Sequence, residues 1–183
     1  MQLREQLNKT DYEKIAALYV SAFSKEERLP FAVLKKKAEN KKGSFLIIEE
    51  GSQFIGFMHI SEGTSLVYLA FFAIDEACRE KHYGSTALQM LKERYPKKII
   101  LIAREALDPI AENYGQRVRR YGFYLRNGFQ DIPYTIHECS IAYDAMSTSA
   151  DTVPEQYLEA IHAWADPITF KTIGFAMKKR NAD

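Results

Sequence analysis

The chain has few of the residues that make metal centres and disulfide scaffolds: two cysteines, four histidines and one tryptophan among 183 residues. Cys78 and Cys139 lie far apart, without a CxxC pair or a Cys/His ligand spacing. That excludes a disulfide framework and gives no basis for a structural zinc or other metal site. No apolar run reaches the roughly eighteen residues that a membrane span needs. The first residues, MQLREQLNKTDYEK, contain no apolar signal core, so a soluble cytoplasmic protein is expected. An excess of charge is missing too: Lys and Arg number 25, Asp and Glu 24, and the net charge is +1. Nothing global draws such a surface to nucleic acid or to a membrane. Repeats and low-complexity segments are absent. The length suits one domain with a sizeable core, and a second independent domain is not expected.

What the chain does have is the stretch from Tyr68 to Leu91, YLAFFAIDEACREKHYGSTALQML. An apolar run breaks into a charged turn and restarts as a helix near Gly84. A strand that feeds a short basic loop and then a helix aims unpaired backbone N–H groups at one point, and such a point binds an anion, most often a phosphate.

The surrounding pattern supplies the frame. A short strand around Gln2 to Gln6 precedes a helix opened by Thr10-Asp11-Tyr12-Glu13, read as a capping box, with Ile15, Leu18, Tyr19 and Ala22 on one face. Pro30 suits the start of a second helix over Phe31 to Glu39, where Lys35 to Lys37, with Lys41 and Lys42 beyond, form a solvated face. FLIIEE, a turn at Glu50 to Gln53, and FIGFMHIS make a hairpin leading to a long strand, Leu66 to Ile74. A helix from Gly84 to Arg94 stops at Pro96, and Ile99 to Ala103 is the next strand. That strand returns parallel to Leu66–Ile74, which makes one βαβ unit within an otherwise antiparallel sheet. A further helix runs from about Ala111 or Asn113 to Asn127, with Val118, Tyr121, Tyr124 and Leu125 on its apolar face and Gly128 as its stop. Strands follow at Tyr134 to Ile136 and Cys139 to Tyr143, joined through His137-Glu138. Thr152 and Glu155 form a second capping box, with Pro154 near the first position of a helix ending at Trp164. Ile168 to Met177 has no clear assignment.

In order of elements and in two motifs, residues 1 to 146 resemble the GNAT superfamily of acyl-CoA-dependent N-acetyltransferases. The first motif is Arg or Gln, two residues, Gly, one residue, Gly or Ala; here Arg79 and Gly84 match, and His82 stands where the first glycine is expected. A non-glycine residue is tolerable there if the position takes helical or extended φ. The second is the aromatic pair and Gly-Phe corner of Phe123-Tyr124-Leu125-Arg126-Asn127-Gly128-Phe129.

The resemblance implies an α+β, GNAT-like acyl-CoA N-acyltransferase fold. Its central sheet would be mixed but mostly antiparallel, of about six to seven strands, flanked by about four helices, with residues 147–183 as a helical extension packed on the domain of residues 1–146. It implies acetyl-CoA as co-substrate, no metal, and transfer of acetyl to a primary amine in a ternary complex. Arg79, Lys81, His82, Tyr83, Gly84 and Ser85 would hold the pyrophosphate through backbone amides and positive charge. Backbone groups of Phe72 and Ile74 would hold the pantetheine and the thioester carbonyl, and Asn113 would reach the same arm. Tyr124, four residues before Gly128, takes the family's acid position. A phenol with an ordinary pKa near 10 transfers its proton poorly to a thiolate near 8.5, but a hydrogen bond to the developing S⁻ still lowers the barrier.

No residue declares itself as the base. Glu105, after the strand Ile99–Ala103, and His59, on the hairpin, are the first candidates, each with a structural role as the alternative. Cys139 as an acyl-carrying nucleophile has only His137 nearby to activate it. Arg117, Arg119, Arg120 and Arg126 suit either the cofactor's 3′-phosphate or a solvated helix face. A catalytically silent acyl-CoA sensor on the same fold is the main rival. A nucleic-acid binder built on the arginine helix is a weaker one, recognisable by steep salt dependence. The acceptor is a small amine or a peptide, with Phe31, Tyr134 and Trp164 as possible pocket walls. The tail after Met146 could cover a sheet edge or swap into a homodimer.

Overall fold

The computed structural model describes residues 1–79 and 81–180. Its centre is a hairpin and a crossover built from the apolar runs. Strands β2 (Ser44–Glu50), β3 (Gln53–Glu62) and β4 (Leu66–Ile74) are consecutive and antiparallel, and β4 then pairs in parallel with β5 (Ile99–Arg104) through helix α3 (Tyr83–Arg94). Phe45, Leu46, Ile47 and Ile48 are all buried, without the usual alternation, because helices cover both faces of the sheet.

One face carries α1 (Lys9–Ala22), α2 (Phe31–Glu39), α5 (Pro154–Trp164) and α6 (Pro167–Ile173), which close a core around Tyr19, Phe57, Tyr68 and Tyr157. The other carries α3 and α4 (Tyr114–Arg126) over Met58, Leu69, Leu88 and Leu91. With β1 (Gln2–Arg4), β6 (Gln130–Glu138), β7 (Ile141–Ser147) and β8 (Ala176–Lys179), the sheet order is β1-β2-β3-β4-β5-β7-β6-β8. The expected α+β architecture is present, with eight strands and six α-helices among the described residues.

Several local expectations are corrected. Asn8, not Thr10, caps α1: its Oδ1 accepts the Asp11 N–H at 3.0 Å, and Asp11 Oδ2 accepts the Asn8 N–H at 2.9 Å. Lys37 leaves the solvated face, buried over the Trp164 ring and paired with Asp166. On α4, Tyr121 and Tyr124 face inward, whereas Val118 and Leu125 are exposed. The β6–β7 turn falls at Cys139-Ser140, with φ of 51° and 67°, and not at His137-Glu138. At α5, Gln156 in place of Glu155 reaches back to the Val153 N–H at 3.0 Å, while the Thr152 hydroxyl bonds Ser149 O at 2.8 Å. The unassigned tail becomes α6, capped by Asp166, and β8, which pairs with β6 and covers that sheet edge.

Candidate functional site

β4 and β5 pair only from Leu66↔Ile99 to Tyr68↔Leu101, although both strands continue. Beyond Tyr68 the strands part, and among the described residues the β5 side of β4 has no strand partner. Which backbone groups face that wedge follows from β3. The Asp75 N–H bonds Ile55 O at 2.8 Å, so in the antiparallel alternation Ala73 and Phe71 also point at β3, and Phe72 and Ile74 point away from it, into the wedge. The backbone of the two residues expected to hold the pantetheine therefore faces the gap between β4 and β5.

A 3-10 turn, Glu76–Cys78, leads from β4 towards α3. The first bond of α3 runs from the Thr86 N–H to His82 O at 3.1 Å, which leaves the amides of Tyr83, Gly84 and Ser85 in a first turn with no intrahelical acceptor. Arg79 and Lys81 are exposed beside this turn, and Arg79 pairs with Glu76 at 3.2 Å. The Tyr83 hydroxyl donates to Glu50, which ties the first turn of α3 to the end of β2.

His82 caps α3 at φ 58°, in the left-handed region. The condition under which a non-glycine residue was tolerable, helical or extended φ, is not met: this is a glycine conformation occupied by histidine. Gly84 answers a different need. A Cβ there would stand 3.2 Å from the Phe123 ring and 3.8 Å from Ile74, so any side chain at this position would press the Phe123 ring aside where α3 meets α4.

Tyr124 lies beside this junction. It packs edge-on to Phe123 at 5.3 Å and to Phe129 at 5.6 Å, within the apolar cluster that includes Phe72 and Ile74. Burial pushes its phenol up to about 12, with Arg120 opposing, so the hydroxyl keeps its proton. Gly128, at φ 75°, turns the chain so that Phe129 packs back into the core.

Glu105 and Asn113 are brought together, but with each other. Asn113 Nδ2 donates to Glu105 Oε1 at 2.9 Å, Arg117 pairs with the same oxygen at 3.1 Å, and Arg120 donates to Oε2 at 2.7 Å. Asn113 Oδ1 accepts from Arg117 Nε at 2.7 Å. This cluster clamps the β5–α4 loop to the first turns of α4 and occupies both carboxylate oxygens. Arg119 and Arg126 remain exposed.

His59 lies on the other face of the sheet, 1% exposed, with its ring 4.6 Å from Phe45 and neither ring nitrogen bonded to any described residue. Burial holds it neutral, its pKa down at about 3. It lines a pocket that also takes in Trp164 of the expected acceptor-wall residues, but neither Phe31 nor Tyr134. Glu138, in the same pocket, is hidden in the sequence because His137-Glu138 has the look of a turn; the turn lies instead at Cys139-Ser140, and Glu138 ends strand β6.

The profile of the acetyltransferase (GNAT) family matches residues 12–129. Among solved structures, a protein from Bacteroides thetaiotaomicron described as a GNAT-family acetyltransferase is similar at 23% identity and a TM-score of 0.72, covering 92% of this chain and 98% of its own. An aminoglycoside 6′-N-acetyltransferase complexed with coenzyme A is similar at 13% identity and 0.62, covering 84% of this chain and 99% of its own. A ribosomal-protein-alanine N-acetyltransferase from Brucella melitensis is similar at 13% and 0.57, covering 80% and 98%. These likenesses show the fold. No curated protein matches the chain in sequence.

Proposed function

The chain belongs to the GNAT acetyltransferase family, and from that premise we propose that it moves an acetyl group from acetyl-CoA to a primary amine by direct attack in a ternary complex. The observation that carries the reading is the parting of β4 from β5 after Tyr68, with the free first turn of α3 and the Tyr124 phenol beside it. The residues present suit the cofactor: amides of Tyr83, Gly84 and Ser85, with Arg79, Lys81 and the backbone at His82, offer donors and charge for a pyrophosphate. Backbone groups of Phe72 and Ile74 offer strand-like hydrogen bonds to an extended pantetheine arm and to a thioester carbonyl.

Acetyl-CoA, when bound, supplies the activated acyl group; the protein's part is to orient it, exclude water and handle protons. Tyr124 holds a proton ready for the departing sulfur. Glu105 and Asn113 in this reading act as the clamp that sets the position of α4, and so of Tyr124, with no direct part in proton transfer.

Release of free thiol from acetyl-CoA, measured against a panel of amines, tests this. Tyr124→Phe is expected to lower kcat by about 100-fold while leaving acetyl-CoA affinity within about twofold. Tight binding of acetyl-CoA by the wild type with no turnover on any amine would instead identify a silent acyl-CoA sensor.

A further inference from the structure

Opposite the α3/α4 face, the wedge is backed by a pocket that the acetyl-transfer chemistry described so far does not use. β4 contributes Tyr68, Ala70 and Phe71 to its wall. Two successive residues share this face because the register runs His59↔Phe71 and then Ile60↔Leu69, which leaves Ala70 as the extra residue of a β-bulge. The bulge lies immediately beyond the last β4–β5 pair, where the wedge opens. The pocket thus meets the stretch of β4 whose backbone faces the wedge, from the side away from α3.

The pocket is narrow, a cavity of about 30 Å³ with an open mouth, so an organic amine seats in it only as the lining side chains move apart. Leu29, Leu34, Phe71, Trp164 and Phe175 make most of its surface apolar, and no lysine or arginine lines it. Two carboxylates do: Glu27 from the α1–α2 loop and Glu138 at the end of β6. The Glu138 Oε1 accepts a hydrogen bond from Tyr157 at 2.8 Å, and the Tyr68 hydroxyl lies against the same carboxylate. His59, fully buried with both ring nitrogens unbonded to described residues, is a polar group here that the packing leaves unexplained.

We propose that this pocket is the acceptor site, that it takes a primary amine carried on a compact apolar or aromatic body, and that the Glu138 carboxylate receives the ammonium and removes its proton. The proposal rests on the acetyl-transfer reading. An apolar wall selects the body, and a single buried carboxylate selects one cationic head; a polycation would leave its other charges against apolar surface. The proton balance closes. One ammonium proton passes to Glu138 and then to solvent, and the free amine forms the N–C bond as the C–S bond breaks. As Tyr124 delivers its proton to the departing sulfur, the second proton leaves the nitrogen and returns to the Tyr124 oxygen, restoring the phenol, and the third stays on the amide.

The groups facing Glu138 are Tyr157 from α5, Tyr68 from β4, Tyr143 from β7, Cys139 at the turn, His59 from β3 and Glu27 from the α1–α2 loop. Burial holds His59 uncharged and pushes the Tyr68, Tyr143, Tyr157 and Cys139 pKa values up. Burial also raises Glu138 to about 7, where a carboxylate is matched to take a proton near neutral pH.

Trp164 is the only tryptophan of the chain and lines the pocket, so its emission reports occupancy without chemistry. Titration with 2-phenylethylamine should change that emission saturably, with affinity about tenfold weaker at pH 6 than at pH 8. The uncharged 2-phenylethanol should bind weakly at both. Glu138→Gln should lose that pH dependence and reduce kcat/KM for acetylation about 100-fold or more. Binding without acetylation of any amine would sink the acetyl-transfer reading and leave the pocket assignment standing. Acetylation of spermidine with no Trp164 response to 2-phenylethylamine in the wild type would overturn the present inference, as would an unchanged pH profile in folded Glu138→Gln.

Discussion

At the scale of single residues, His82 is the most informative position. It holds φ at 58°, a conformation that costs an L-residue roughly 1–2 kcal/mol and glycine almost nothing. Strain of this kind persists where the surroundings demand it, and here the demand is the tight entry into α3. His82→Gly should therefore keep or raise thermal stability, by up to about 1 kcal/mol, and should not weaken acetyl-CoA binding. His82→Val, which cannot enter this region easily, should lose more than about 1 kcal/mol and bind acetyl-CoA less tightly. Equal behaviour of the two variants in thermal melts and calorimetric titrations would show that the turn does not need this backbone. The motif around His82 was legible from residue types and spacing alone. The sign of its φ was not, because histidine populates both signs and only the closed turn selects one.

Among the elements, β4 organises the site. Its apolar run made it recognisable as a strand, and its position before a basic turn and a helix made the crossover recognisable. The bulge at Ala70 was hidden, because a run with no polar residues carries no alternation from which a change of face can be read. For the same reason the β5–α4 cluster stayed hidden: Glu105, Asn113 and Arg117 meet through a loop whose path the local pattern does not encode. The inner end of β4 depends on Gly56 of β3, opposite Ile74, where a Cβ would lie 2.2 Å from the Ala73 carbonyl oxygen. Gly56→Ala should push β3 off β4, cost about 2 kcal/mol or more in chemical denaturation, and weaken acetyl-CoA binding by displacing Ile74. A neutral result on both measures would detach this strand pair from the site.

For the whole molecule, two buried groups in one pocket hold opposite titrations. His59 is neutral in the folded protein down to about pH 3 against 6.5 when free, so the unfolded chain takes the proton first and stability is lost as pH falls below about 6.5. Glu138 is protonated in the folded protein up to about pH 7 against 4.5 when free, so the unfolded chain ionises first and stability is lost as pH rises from 4.5 to 7. Between pH 4.5 and 6.5 the two slopes oppose each other. Glu138→Gln should remove one of them, leaving thermal stability that climbs with pH across this window, whereas the wild type stays flatter. Parallel curves for the two proteins would contradict the burial of that carboxylate. The C-terminal elements also belong to this scale. They lie beyond the family match of residues 12–129, yet Ile161, Trp164, Ile173 and Phe175 complete the pocket wall. Their sequence gave helix α5 but not α6 and β8, since short amphipathic pieces take their form from the surface they cover.

The central claim is that the free first turn of α3, beside the parted strands, holds the cofactor's pyrophosphate. Calorimetric titration of acetyl-CoA into the wild type, Arg79→Ala and Gly84→Glu tests it most directly. The wild type should bind, Arg79→Ala should bind several-fold more weakly, and Gly84→Glu, which sets a carboxylate among the phosphate-facing amides and against Phe123, should lose at least about tenfold. Unchanged affinity in both folded variants would contradict the account.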